Sequence, residues 1–176
     1  MANSYQLVAW TDKGQVRMIP SLINEYIQEE MKRIHQVEEN VRYGTRYEVH
    51  DLLKLSNAYE KLALVLQGLR ESEAAFKAYS KAALCCSASD NNWEDTEWGE
   101  LLFGPLRRRF FEMFSACKDL IHFYPKLQYY WANSGLQEAL ENITHRDRMI
   151  EYECERTYGN VREAIAYSRA LRFGNS

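Results

Sequence analysis

Apolar residues recur every three or four positions over most of the chain, and this spacing predicts amphipathic α-helices. The first predicted helix runs from Pro20, which suits a first helical turn, to about Tyr43. Glycines, prolines and capping residues divide the remaining chain into further predicted helices with the same spacing. Their approximate ranges are 45–68, 72–86, 93–103, 105–124, 134–157 and 161–171, with a short aromatic helix after Pro125. The pattern therefore predicts an all-α protein.

The first 19 residues follow a different pattern. Segments 5–10 and 15–19 are largely apolar and flank Thr11–Gly14, which can form a type I turn that ends at the glycine. This arrangement predicts a small N-terminal β-hairpin within residues 1–19. No stretch between the predicted helices is long enough to divide the chain, so we expect residues 1–176 to form a single helical domain.

Capping residues mark several of the predicted helix ends. Thr45–Glu48 and Ser134–Gln137 match the capping box, in which two side chains bond the unpaired backbone N–H groups of the first turn. Asn160 is predicted to cap the last helix in the same way, with Glu163 three residues later. Gly68 is predicted to close one helix and Ser72 to cap the next.

One pair of predicted helices carries a denser pattern of large and small residues. Ala63 and Ala75 are small where two antiparallel helices must approach closely, and larger side chains surround them. The pattern is Tyr59-x2-Leu62-Ala63-x2-Leu66-x8-Ala75-x3-Tyr79-x2-Ala82. It resembles the tetratricopeptide repeat, whose pattern is W-x2-L-G-x2-Y followed by A-x3-F. The resemblance implies a repeat-like helix pair over residues 45–86 within an α-α superhelix. An irregular helical bundle is the structural alternative.

The resemblance also implies a binding surface, because the first helix of each tetratricopeptide repeat lines a concave groove. This would put Asn57, Glu60, Leu64 and Gln67 in the groove. Family members that hold a peptide's terminal carboxylate use lysine or arginine beside asparagine, and Glu60 departs from that arrangement. We therefore do not expect capture of an acidic C-terminal tail. The alternative is that the four side chains form an ordinary solvent-facing surface. A second segment, 159–171, is similar to the second helix of a repeat.

Composition places the chain among ordinary folded proteins and does not narrow its function. Of the 176 residues, 46% are hydrophobic and 27% charged, which is enough to build a core without metals or disulfides. The start lacks the pattern of a secretory signal, and no window approaches the roughly 18 apolar residues of a membrane span. We therefore expect a cytoplasmic protein without a membrane partner. The net charge of −3 gives no general attraction for nucleic acid.

Motifs for catalysis and metal binding are missing from the sequence. It contains no phosphate-binding glycine loop, dinucleotide fingerprint, zinc-protease motif or serine-hydrolase elbow. Glu141 and His145 lie one helical turn apart, but an exposed contact between them is favoured over a shared metal. The cysteines lack metal-ligand spacing and are predicted to be reduced thiols, at Cys85, Cys86, Cys117 and Cys154. We therefore expect no enzyme activity, no cofactor and no bound metal.

A basic and aromatic segment supports a second reading of the function. Arg107, Arg108 and Arg109 precede Phe110 and Phe111, and such interleaving could pair with phosphates and stack on bases. Three consecutive helical residues, however, spread over about 200° and cannot all face one ligand. Nucleic acid is therefore the less favoured partner.

The aromatic residues of segment 110–131 exceed what one amphipathic stripe can bury. Phe111 and Phe123 lie off the stripe that Phe114 and Tyr124 define. Some of these rings are expected to pack on a partner or on another copy of the chain in a homo-oligomer. We expect, from the whole sequence, a non-enzymatic protein-interaction scaffold that binds a peptide or partner protein. A nucleic-acid-associated regulatory protein is the alternative.

Overall fold

The computed structural model describes residues 7–11, 14–18, 20–43, 49–87 and 98–173. Two short antiparallel strands, β1 (Leu7–Thr11) and β2 (Gly14–Met18), come first, in the segment for which the sequence predicts a hairpin. Helices form the rest of the described chain, and the protein belongs to the all-α class, as the sequence predicts. They are α1 (Pro20–Tyr43), α2 (Val49–Gly68), α3 (Ser72–Ser87), α4 (Trp98–Phe103), α5 (Pro105–Phe123), α6 (Gln128–Trp131), α7 (Leu136–Tyr158) and α8 (Val161–Phe173).

Several predicted boundaries agree with the structure to within two residues. Helix α1 has the predicted bounds, and α5 is interrupted as predicted at Pro125, where a single 3₁₀ turn (Pro125–Leu127) leads into α6. The predicted capping box Thr45–Glu48 and the predicted helix start at Trp93 lie outside the described residues. Proline sets the boundaries at Pro20 and Pro125, because its ring fixes φ and it lacks a backbone N–H donor.

Helix α2 ends at Gly68 as predicted, but glycine does not supply the left-handed residue of its C-terminal cap. Gly68 is the last helical residue, but the left-handed residue that ends the helix is Arg70, with φ of 61°. Arg70 N–H donates to Gln67 O (3.0 Å) and Glu71 N–H donates to Leu66 O (2.9 Å), which together form a Schellman motif. Glu71 then accepts the first hydrogen bond of α3, from Ala75 N–H. Ser72 is therefore the first helical residue and not the predicted cap.

Of the caps predicted for α7 and α8, the first is wrong and the second is confirmed. Helix α7 is capped by Gly135 in the left-handed conformation, with φ of 76°, so Ser134 does not form the predicted capping box. Ser134 Oγ instead donates to Trp131 O and accepts from Leu136 N–H. For α8 the prediction of Asn160 is confirmed, because its Oδ1 accepts from Glu163 N–H at 2.8 Å.

Helices α2 and α3 are the centre of the main hydrophobic cluster. Small residues on both helices have no exposed surface, so the two backbones approach closely. These residues are Ala63 on α2 and Ala75, Ala82 and Ala83 on α3. Larger buried side chains from α1, α5 and the start of α7 complete this main cluster, among them Ile34, Phe110, Leu136 and Ile143.

Side-chain hydrogen bonds fix the directions of α2 and α3. Ser56 Oγ, early in α2, donates to Ala82 O, late in α3, at 2.8 Å. Tyr79 OH, earlier in α3, donates to Gln67 Oε1 at the end of α2 at 3.0 Å. The two helices are therefore antiparallel.

Helix α5 packs against α3 and runs in the opposite direction. Its start is close to the end of α3, because Arg109 Nε donates to the same Ser56 Oγ that bonds α3 (3.3 Å). Further along α5, Cys117 Sγ lies 3.8 Å from Ser80 Oγ, closer to the start of α3. Because α3 is antiparallel to both α2 and α5, these two helices lie side by side and parallel.

A second, smaller hydrophobic cluster lies at the C-terminal end of the molecule. We call it the C-terminal cluster; its buried members are Leu101 and Leu102 of α4, Ile150 and Cys154 of α7, and Ala164 of α8. Helix α7 thus joins both clusters. None of the helices in the described ranges has the length and apolar character needed to cross a bilayer.

Candidate functional site

The two parallel helices α2 and α5 lie side by side and border one surface of the molecule. Glu60 and Arg109 connect them, with Arg109 Nη2 2.6 Å from Glu60 Oε2. The angle at this contact makes it an ion pair without an aligned hydrogen bond from Nη2. We call this surface the α2–α5 groove; its residues are Asn57, Glu60, Leu64 and Gln67 of α2 and Arg109 and Glu112 of α5.

The four residues predicted from the tetratricopeptide resemblance share one face of α2. Helical spacing aligns them, because they are three or four positions apart. Leu64 is 47% exposed, and Asn57 is exposed about two turns before it. Gln67 is exposed but already accepts a hydrogen bond from Tyr79. Glu60 is half-buried because it faces α5, whereas Asn57, Leu64 and Gln67 are exposed.

The charges in the groove are largely balanced within the protein. The side chains of Arg109 and Glu60 are only 15% and 28% exposed, and Arg109 Nη1 also lies 3.4 Å from Glu112 Oε2. Reduced solvent exposure lowers the effective dielectric, so this ion pair holds its partners more firmly than a surface pair does. The arrangement keeps α2 and α5 at a fixed separation.

Ser56 is a further residue of this site, and our sequence interpretation missed it. Its side chain has no exposed surface, and its hydroxyl donates to Ala82 O while it accepts from Arg109 Nε. One hydroxyl thereby ties α2 to both α3 and α5. The available signal was its position, because Ser56 is polar within the stripe of α2 that also carries Leu52, Tyr59 and Ala63.

The three arginines of the alternative nucleic-acid patch face different neighbours. Arg107 Nε donates a hydrogen bond to Asp147 Oδ2 of α7 at 3.0 Å, and Nη2 forms an ion pair with the same oxygen at 2.9 Å. Its guanidinium lies over the Phe111 ring. Arg109 faces α2, and Arg108 is exposed to solvent between them. The structure therefore does not bring the three guanidinium groups together on one surface.

The aromatic segment is divided between core and surface. Trp131 packs against Phe76 and Phe114, with ring centroids 6.5 and 5.4 Å apart, while Lys118 Nζ lies 4.3 Å from the Trp131 ring centroid. Phe110 is fully buried. In contrast, Phe123 is 74% and Tyr129 is 83% exposed.

The thiols and acids offer no reactive or metal-binding centre in the part of the chain that is described. All four cysteines are free, and burial raises the pKa of Cys85 and of Cys117 to about 12, which keeps them protonated at neutral pH. No three His, Cys, Asp or Glu side chains among the described residues are grouped to hold a metal ion. Glu141 accepts a hydrogen bond from Gln137 at 3.3 Å.

Comparison with known proteins gives no family to which these features can be referred. No protein-family model, no curated protein and no solved structure matches this chain.

Proposed function

We propose that this protein is a non-enzymatic interaction scaffold of tetratricopeptide type, which binds a helix or an extended peptide of a partner protein in the α2–α5 groove. One observation carries the proposal: α2 and α5 lie side by side around the Glu60–Arg109 pair, so that the resemblance-derived residues of α2 border a second helix. The close α2–α3 packing through Ala63 and Ala75 supports the repeat-like character of the pair.

The groove is suited to binding because it is held together without a partner. Ser56 and Arg109 fix the spacing of the two helices through contacts within the protein. A partner would then meet a preformed surface, and little conformational entropy would be lost on the scaffold side. Leu64 supplies an exposed apolar anchor, and Asn57 can donate and accept hydrogen bonds beside it.

A cytoplasmic location belongs to the same proposal. The four cysteines are free, and this fits a reducing compartment better than an oxidising one. Nucleic acid is the less supported partner, because Arg107 and Arg109 are already engaged with Asp147 and Glu60.

Site-specific crosslinking would test the groove directly. A photo-crosslinking amino acid is placed at Leu64 and, as the matched control, at Asn142, an exposed position on α7. The tagged protein is irradiated in a lysate of the source cell with and without nuclease. We expect a nuclease-resistant crosslink to a protein from position 64 and none from position 142.

Charge variants then measure the contribution of the groove to binding. Leu64→Arg is expected to reduce recovery of the crosslinked partner at least about tenfold, whereas Asn142→Arg adds the same charge without that loss. Equal recovery with both variants would show that the partner binds elsewhere. Recovery that requires nucleic acid and falls with Arg108→Glu would replace the proposal by the nucleic-acid alternative.

A further inference from the structure

Helix α7 connects two hydrophobic clusters of very different size. Among the described residues, the main cluster contains 23 buried members and the C-terminal cluster contains five. Leu136, Ala139 and Ile143 in the first half of α7 belong to the main cluster, and Ile150 and Cys154 in its second half belong to the other. The change from one cluster to the other occurs between positions 143 and 150.

Charged side chains occupy that junction. Arg146 and Asp147 are both buried, at 7% and 9% exposure. Arg146 Nη2 donates to Leu101 O of α4 (2.9 Å) and to Asp147 Oδ1 (3.2 Å). Asp147 Oδ2 in turn accepts a hydrogen bond from Arg107 Nε of α5 at 3.0 Å and forms an ion pair with Arg107 Nη2 at 2.9 Å. This network joins α4, α5 and α7 at one point.

We propose that the C-terminal cluster opens as a unit while the main cluster stays folded, and that the Arg107–Asp147–Arg146 network is the latch that holds it closed. Among the residues whose side chains are described, few buried apolar ones stabilise the C-terminal cluster, and the free energy of local opening follows the apolar surface that opening exposes. Helix α8 illustrates this, because among its residues with described side chains only Ala164 is buried.

The latch is effective because its charges are paired and those of Arg146 and Asp147 are buried. Asp147 has charged donors on two helices, and removing its charge leaves the two arginines without their shared acceptor. Loss of the network would weaken the attachment of α7 to α4 and α5. It would leave the packing of α2 on α3 unchanged, because no member of the network belongs to either of those helices.

The cysteines provide a direct readout of the two clusters. Cys154 belongs to the C-terminal cluster and Cys117 to the main cluster, and neither has exposed surface. Alkylation of either thiol therefore requires opening. Pulses of N-ethylmaleimide without denaturant at pH 8 are followed by peptide mass spectrometry. Each rate is divided by the rate of the same thiol in the unfolded chain, which removes differences in intrinsic reactivity.

We expect Cys154 to be alkylated at least about tenfold faster than Cys117 after this correction, corresponding to a lower opening free energy. Asp147→Asn should raise the corrected alkylation rate of Cys154 at least about tenfold further and should change that of Cys117 by less than about threefold. Lys77→Gln, which removes the exposed Glu73–Lys77 pair, is the control and should change neither rate. In Asp147→Asn, hydrogen exchange of the α4 and α8 amides should become faster, as alkylation of Cys154 does.

Three results would overturn the proposal. Equal corrected rates for Cys154 and Cys117 in the wild-type protein would mean that the molecule opens only globally. If Asp147→Asn raises the alkylation rates of both thiols, or of neither, the Arg107–Asp147–Arg146 network does not hold the C-terminal cluster closed. Faster exchange in α8 without faster exchange in α4 would indicate fraying of the last helix alone. If Asp147→Asn does not fold, Arg107→Gln tests the same latch from its partly exposed side.

Discussion

Ala63 and Ala75 are the residues on which the close packing of α2 and α3 depends. Both have no exposed surface, and they belong to the main cluster together with Phe76 and Tyr79. A larger side chain at either position would have to displace neighbours that are already close-packed. The sequence pattern of small residues therefore corresponds to a steric requirement of the fold.

Enlarging Ala63 should destabilise the protein. Ala63→Leu is expected to lower the free energy of unfolding by about 1–3 kcal/mol, because the added carbon atoms have no space between α2 and α3. Urea denaturation followed by circular dichroism measures the change. Ala166→Leu, at an exposed position of α8, is the control and should stay within about 0.5 kcal/mol of wild type. A similar small effect at Ala63 would mean that the helices are not closely packed there.

Helix α2 is followed by a cap residue, Arg70, whose left-handed backbone conformation is energetically unfavourable for a residue with a side chain. Arg70 adopts the left-handed conformation that the Schellman motif requires at this position, although glycine adopts it at lower cost. Gly68, two residues earlier, remains helical. The hydrogen bonds of the motif therefore determine where α2 ends, and glycine placement does not.

Replacing this residue should stabilise the protein. Arg70→Gly is expected to raise the free energy of unfolding by about 0.5–1 kcal/mol, because it removes the steric penalty of positive φ. The opposite kind of change at another left-handed position, Gly135→Ala, should lower the free energy of unfolding by about 1 kcal/mol. Backbone strain causes this loss, because the added methyl would meet only Leu84, at ordinary contact distance. Thermal unfolding of both variants provides the measurement. A lower melting temperature for Arg70→Gly would show that the arginine side chain makes a contribution larger than the strain.

The positions of the helices could be predicted from the sequence, but the contacts between helices could not. Periodicity and proline placement predicted α1 and α5 because these signals act within a few residues of the boundary. The Glu60–Arg109 pair could not be predicted, because the packing of α5 on α3 brings together residues that are distant in the chain. Helical geometry alone indicated that Arg107, Arg108 and Arg109 cannot all face one ligand, but the partners that Arg107 and Arg109 find on α7 and α2 could not be predicted.

Ionisable groups in the core make the stability of the whole molecule dependent on alkaline pH. Burial raises the pKa of Cys85, Cys117 and Tyr79 to about 12, and it also raises the pKa of Tyr59. In the unfolded chain the thiols lose their protons near pH 9 and the phenols near pH 10. Between these values and pH 12 the unfolded state binds fewer protons than the folded state, so stability falls as pH rises.

The contribution of one thiol can be separated from the rest. We expect the free energy of unfolding of the wild-type protein to decrease progressively from pH 9 to 12, and these groups to leave it unchanged below pH 8. Cys117→Ala should show a shallower decrease over the same interval, whatever its stability at pH 7. Urea titrations in the presence of a reductant give both curves. Parallel curves would mean that the thiol of Cys117 ionises in the folded protein as readily as in the unfolded one.

The two salt bridges that join Arg107 and Arg109 of α5 to other helices together set its rotation about its own axis. Arg107 is held by Asp147 on one side and Arg109 by Glu60 on the other, so the intervening Arg108 must face solvent. Loss or gain of one residue before Arg107 would turn the following positions by about 100° relative to the hydrophobic core. Such a change would break both ion pairs at once and rotate Phe110 out of the main cluster. We conclude that the first turn of α5 tolerates side-chain substitution far better than any change in its length.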